Sequence, residues 1–127
     1  MDSIQALPKI LLIEDEPLIG KAYKDGLERA QFEVKVAPTG EEGLAMVKSW
    51  QPDLVLLDLL LPKIDGFEVL IELKKDEKIK KIPVIILTVS GSDSDLQKSK
   101  RMGALDYLVK TELSMQQIVM RLRFHLM

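Results

Sequence analysis

Five short apolar runs recur along the chain: ILLI at 10–13, EVKVA at 33–37, LVLL at 54–57, VIIL at 84–87 and LDYLV at 105–109. Each has the length of a strand. Their leucine and β-branched content suits strands covered on both faces rather than alternating strands with one wet face. Between the runs, apolar residues return at helical spacing: Leu18, Ile19, Ala22, Tyr23, Leu27 and Ala30, then Leu44 and Val47, then Phe67, Leu70, Ile71 and Leu73. Strand followed by helix, five times over, predicts parallel strands joined by helical crossovers, an α/β doubly wound (βα)5 sandwich.

The punctuation keeps the same register. Thr39 with Glu42 and Ser114 with Gln117 have the spacing of capping boxes, the second flanked by a Leu113 to Ile118 staple, and Pro17 fits the first turn of the first helix. The fourth helical segment, DSDLQKSKRM at 93–102, offers only Leu96 and Met102 as large apolar residues. It is therefore expected to be the least firmly docked element and a candidate for movement.

Composition narrows the chemistry. The 127 residues, 46% of them apolar, suit one domain with a real core. We divide the chain into an N-terminal extension at 1–8 and a single domain at 9–127. With no cysteine and one histidine, thiolate sites and the common zinc spacings are absent, so any metal would be held by oxygen. No apolar run is long enough to span a membrane, and MDSIQALPK lacks the features of a signal peptide, so a cytoplasmic protein is expected. The net charge of −2 gives no general attraction to nucleic acid. The lysine-rich KKDEKIKK at 74–81 has no interleaved aromatics and reads as a solvated loop, so no direct nucleic-acid binding is expected.

The residues that end the strands carry the functional signal. In an open parallel sheet the C-terminal strand ends share one edge, and ligands bind there beside the point where strand order reverses. The first strand ends in Glu14, Asp15 and Glu16, the third in Asp58, the fourth in Thr88 and the fifth in Lys110. Singly each has an ordinary explanation, such as Asp15 capping a helix or a threonine in a strand. Together they describe an acidic pocket that needs a cation, and Mg2+ fits because it prefers oxygen ligands and leaves positions open for phosphate. Asp58 is then placed to attack phosphorus as a carboxylate nucleophile, with Lys110 and Thr88 suited to a tetrahedral dianion.

Taken as ILLIEDEP, DLVLLDLLLPKIDG, PVIILTVSG and GALDYLVK, in this order and spacing, the chain resembles the receiver domains of two-component response regulators, chemotaxis-regulator-like and nearly complete from Lys9 to about Leu126. The resemblance implies a flavodoxin-like sheet of strand order 2-1-3-4-5. It also implies Asp58 as phospho-acceptor, Glu14 and Asp15 with Asp58 and the main-chain carbonyl of Leu60 as magnesium ligands, and Thr88, Tyr107 and Lys110 as the responding residues. Thr88 and Tyr107 would turn inward on phosphorylation and remodel the surface of helix four, strand five and helix five. That surface would contact a second copy of the chain or a downstream effector. The phosphoryl donor would be a phosphohistidine on a sensor histidine kinase or histidine phosphotransfer protein, because His125, the single histidine, is expected on the surface of the last helix. Such a chain catalyses its own aspartyl phosphorylation and dephosphorylation without being a conventional turnover enzyme. With no output domain after the fifth helix, it is expected to be a stand-alone regulator or a piece of a longer protein.

Two positions depart from the family pattern. Thr111 stands where a proline usually follows the lysine through a cis bond. A cis bond before a non-proline residue costs about 3 kcal/mol, which leaves either a trans bond with a shifted loop or a strained cis bond. Val89 replaces a usually small residue and would narrow access to the phosphate. Two enzyme patterns are absent. A haloacid-dehalogenase-like phosphatase would want a second aspartate where Leu60 stands, and a dinucleotide site would want G-x-G-x-x-G in place of EDEPLIG. The alternative from another class is a pseudo-receiver, a non-phosphorylated interaction or dimerisation module on the same fold.

Overall fold

Side chains alternate across a pleated strand, so strands buried on both faces must feed two apolar layers at once. A computed structural model, which describes residues 6–127, shows this division. In chain order the elements are β1 (Lys9–Ile13), α1 (Pro17–Arg29), β2 (Glu33–Ala37), α2 (Gly40–Trp50), β3 (Leu54–Leu57), α3 (Gly66–Lys75), β4 (Val84–Thr88), α4 (Asp93–Arg101), β5 (Asp106–Val109) and α5 (Met115–Leu126). All four strand pairings are parallel, in the order β2-β1-β3-β4-β5. The fold is the flavodoxin-like α/β sandwich.

Leu11, Ile13, Val55, Leu57, Val84 and Ile86 face one side and pack with Val47 of α2 and Val69, Leu70 and Leu73 of α3. Their neighbours in the strands, Ile10, Leu12, Leu54, Leu56, Ile85 and Leu87, face the other side with Leu27 of α1 and Ile118 and Leu122 of α5. Each such side chain contributes about 1.5–3 kcal/mol by leaving water, so the strands are the rigid part of the molecule. By contrast α4 buries only Ser99, with Leu96 and Met102 half-buried against the first layer. It is the lightly docked helix that its polar sequence predicts.

The helix starts are mostly as read. Pro17 opens α1, and Ser114 and Gln117 form a complete capping box at α5. At α2 the Thr39 hydroxyl accepts the Glu42 N–H at 3.1 Å, and the reciprocal bond of a full box is not formed. Asp15 caps nothing: the cap position of α1 is Glu16, whose side chain makes no capping bond. In the lysine-rich segment, Lys75 pairs with Glu72 and Lys80 with Glu77, while Lys74 donates to the carbonyls of Lys80 and Ile82. Lys74 thereby closes the turn before β4. The 1–8 extension lies mostly outside the described residues.

His125 is not a surface residue. Its side chain is only 14% exposed, and Nε2 lies 2.9 Å from Asp106 Oδ2. Arg121 donates to both oxygens of the same carboxylate, at 3.0 and 2.9 Å, and the Tyr107 N–H donates to it at 2.8 Å. This node ties the far end of α5 to the start of β5. Burial works to raise the Asp106 pKa, but the bonds from Arg121, His125 and Tyr107 outweigh it and hold the carboxyl below its ordinary value of 3.8. A depressed folded pKa stabilises the protein above the unfolded value and loses that contribution as pH falls through the folded one. Asp106→Asn should therefore cost about 1 kcal/mol at neutral pH, since it takes the anion from Arg121, whose own side chain is half-exposed and screened by solvent. The cost should shrink toward zero in strong acid, as urea unfolding of both proteins at the two pH values would show; a difference independent of pH would contradict the assignment.

Candidate functional site

β1 and β3 lie side by side, but α1 leaves toward one face of the sheet and α3 toward the other. A crevice must open between the two departing chains, above the ends of these strands. The backbone ladder continues one residue beyond the strands and fixes the side chains that border it. Glu14 N–H donates to Ala37 O at 3.0 Å, Asp58 N–H to Ile13 O at 3.2 Å, and Lys110 N–H to Thr88 O at 2.8 Å. Three functional side chains thus hang from hydrogen-bonded backbone, not from free loops.

Asp58 is 5% exposed and Glu14 3%. Buried carboxylates at such a depth require partners. Asp58 Oδ1 accepts the Thr88 hydroxyl at 2.9 Å and the Leu60 N–H at 3.0 Å, while Oδ2 accepts Lys110 Nζ at 2.8 Å. The same ammonium bonds Glu14 Oε1, whose other oxygen accepts the Glu16 N–H at 3.1 Å. Burial pulls the Lys110 ammonium down, but the bonds and charges of Asp58 and Glu14 together outweigh this and hold it above its ordinary value of 10.5. Burial also pushes the Glu14 carboxyl above its ordinary 4.5, against the lowering effect of Lys110. One cation therefore serves two buried anions and leaves an excess of negative charge.

Asp15 adds to that excess. It is exposed, and carboxylate oxygens of Glu14, Asp15 and Asp58 lie within 4.8 Å of one another, a cluster that could hold a metal ion. The donors are all hard oxygens, which suits Mg2+ better than a thiolate- or imidazole-seeking ion. Around the opening, Leu60, Val89 and Ile19 expose apolar side chains. No cis peptide bond occurs among the described residues, so the Lys110–Thr111 bond is trans and Thr111 carries no cis strain.

Tyr107 stands on β5, 7% exposed, with its hydroxyl donating to Ser90 O at 2.8 Å. Thr88 and Tyr107 both already face inward. Two neighbours went unread in the sequence. Gly66 presses against the Asp58 turn so closely that a β-carbon there would sit 2.3 Å from Asp58 O, so no other residue fits without moving the site; the Asp-Gly pair before a helical run was the available signal. The other is Ser90, which joins Tyr107 to Asp95 of α4.

Comparison with known proteins agrees with this geometry. A family model described as the response regulator receiver domain matches residues 10–123. The DNA-binding dual master transcriptional regulator RpaA of Synechocystis is 43% identical over 82% of this chain and 43% of its own length. Protein PilH of Pseudomonas aeruginosa is 36% identical over 82% of this chain and 86% of its own. The BeF3-activated N-terminal receiver domain of Klebsiella pneumoniae RstA superposes with a TM-score of 0.86 at 35% identity, covering 93% of this chain and 97% of that one. Against RpaA and similar regulators the chain spans less than half the relatives' length. From its fold, its acidic pocket and these likenesses, the chain belongs to the receiver domains of two-component response regulators.

Proposed function

We propose that residues 9–127 act as a phosphorylation-driven switch in which Asp58 accepts a phosphoryl group from a phosphohistidine. One observation carries this reading. The Asp58 carboxylate is buried, held by Thr88 and Lys110, and within reach of two further carboxylates that have, among the described residues, no second buried cation. Receiver domains of response regulators pair with histidine kinases, and the single histidine here is committed to Asp106 at the opposite end of β5. The donor imidazole therefore lies outside these residues, on a sensor kinase or a phosphotransfer protein.

In the transfer, a carboxylate oxygen of Asp58 forms a bond to phosphorus as the phosphorus–nitrogen bond breaks, and the leaving imidazole takes its proton from solvent. Thr88 and Lys110 give up their bonds to the carboxylate and follow the new phosphoryl oxygens, so charge moves outward with its donors still in place. Glu14, Asp15, Asp58 and the carbonyl of Leu60 would hold Mg2+. When bound, the ion supplies the positive charge that lets an anionic phosphoryl group enter an acidic pocket. Water attack on phosphorus returns the carboxylate and releases phosphate. The signal leaves through α4, β5 and α5, where Leu105, Met120 and Phe124 are exposed and available to a second copy or an effector.

Incubation with magnesium and acetyl phosphate should give an acid-stable, base-labile adduct of one phosphoryl group, seen by mass spectrometry and absent from Asp58→Asn. No adduct, or one that persists in the variant, would leave the pseudo-receiver reading standing. Magnesium affinity should also fall as pH is lowered from about 8 to about 5, because ligands must be deprotonated. The fall should begin above the ordinary glutamate range, since the Glu14 carboxyl is raised and protons compete for it sooner. Calorimetric titration across this range would contradict the assignment if the affinity stayed constant.

A further inference from the structure

The start of α4 departs from ordinary capping in a way that reaches the switch. Ser92 caps the helix by accepting the Asp95 N–H at 3.0 Å. In a capping box the acid three residues on would return to the cap residue's own N–H. Here the Asp95 carboxylate accepts the Ser90 hydroxyl instead, at 2.7 Å, and the Ser92 N–H is left with Ser90 Oγ at 3.4 Å. Ser90 offers its carbonyl to the Tyr107 hydroxyl at 2.8 Å. One chain of hydrogen bonds thus runs from the first turn of α4, through the loop after β4, to the aromatic side chain on β5. It passes through Ser90, two residues from Thr88, which bonds Asp58.

We propose that Asp95 and Ser90 are positioning residues: they hold the Ser90 carbonyl where Tyr107 meets it, and so tilt the receiver toward its inward arrangement before any phosphoryl group arrives. This rests on the reading of Thr88 and Tyr107 as switch residues. A charge-assisted bond of this length is among the stronger kinds. It acts on a helix with few other restraints. Those restraints are the buried Ser99, the half-buried Leu96 and Met102, and Lys98 Nζ lying 4.1 Å from the centre of the Phe67 ring. In a two-state element so lightly held, one such bond is a sizeable part of the balance, and a ligand that needs the inward state binds in proportion to its population.

The variants are Asp95→Ala, Asp95→Asn and Ser90→Ala. Both Asp95 variants remove the carboxylate charge from the helix N-terminus, but asparagine keeps an oxygen that can accept from Ser90. The chain has two tyrosines, so the Tyr107 ring signal in 13C-tyrosine NMR spectra can be assigned with Tyr107→Phe. In protein without phosphate analogue, Asp95→Ala and Ser90→Ala should move this signal toward its solvent-exposed position, while Asp95→Asn stays close to the parent. Affinity for beryllofluoride with magnesium should fall about fivefold in the first two and little in the third. A Tyr107 signal unmoved in Asp95→Ala, or equal effects of alanine and asparagine, would overturn the proposal and leave Asp95 as an ordinary helix-start acid. Should the parent bind no beryllofluoride, the phospho-acceptor reading of Asp58 fails, and the Tyr107 signal in the uncomplexed variants still decides the role of Asp95.

Discussion

The ammonium of Lys110, bonded at once to Asp58 and Glu14, is the interaction on which the rest of the site depends. The sheet brings these carboxylates together through backbone hydrogen bonds that it forms for its own stability, and the acids cannot move apart. Their repulsion has to be met by cations. Lys110 supplies one, from the end of a third strand, which ties β5 to β1 and β3 through charge as well as through β4. The balance remains negative, and Asp15 makes it more so. A pocket built this way could hold a second cation.

Rigidity and mobility are distributed to match. The strands are buried in two apolar layers and hold the carboxylates, the lysine and Thr88 to their places. α4 is held by one buried serine, two half-buried side chains and a few polar ties. Under the proposed phosphorylation, a change of charge on Asp58 would meet rigid strands and be taken up where resistance is least. The proposed path leads through Thr88 and Tyr107 to α4 and the adjoining face of β5 and α5.

Much of this was legible in the sequence because it is written in local patterns. The five runs mark the strands, and a single aspartate at the end of LVLL, with Glu14, Asp15, Thr88 and Lys110 at other strand ends, marks the pocket. What escaped depends on contacts between residues distant in the chain or on a choice among partners. His125 looked exposed because nothing in RLRFHLM announces a carboxylate; Asp106 reaches it only because α5 folds back over β5, with Arg121 one turn earlier on the same helix face. Asp15 satisfied the composition rule for a helix cap, yet Pro17 set the helix start and left Glu16 at the cap position. Asp95 had the spacing of a reciprocal cap, and the nearby Ser90 hydroxyl took its carboxylate.

The most direct test is the stability of Lys110→Met, a substitution close in length that removes the ammonium with its charge and its hydrogen bonds to Asp58 and Glu14, measured by urea unfolding in chelator and again in saturating magnesium. If Lys110 is the internal counter-ion of a pocket that needs two cations, the variant loses stability in chelator, and magnesium stabilises it by more than it stabilises the parent. Equal stability of the two proteins in chelator, with equal gains in magnesium, would contradict it.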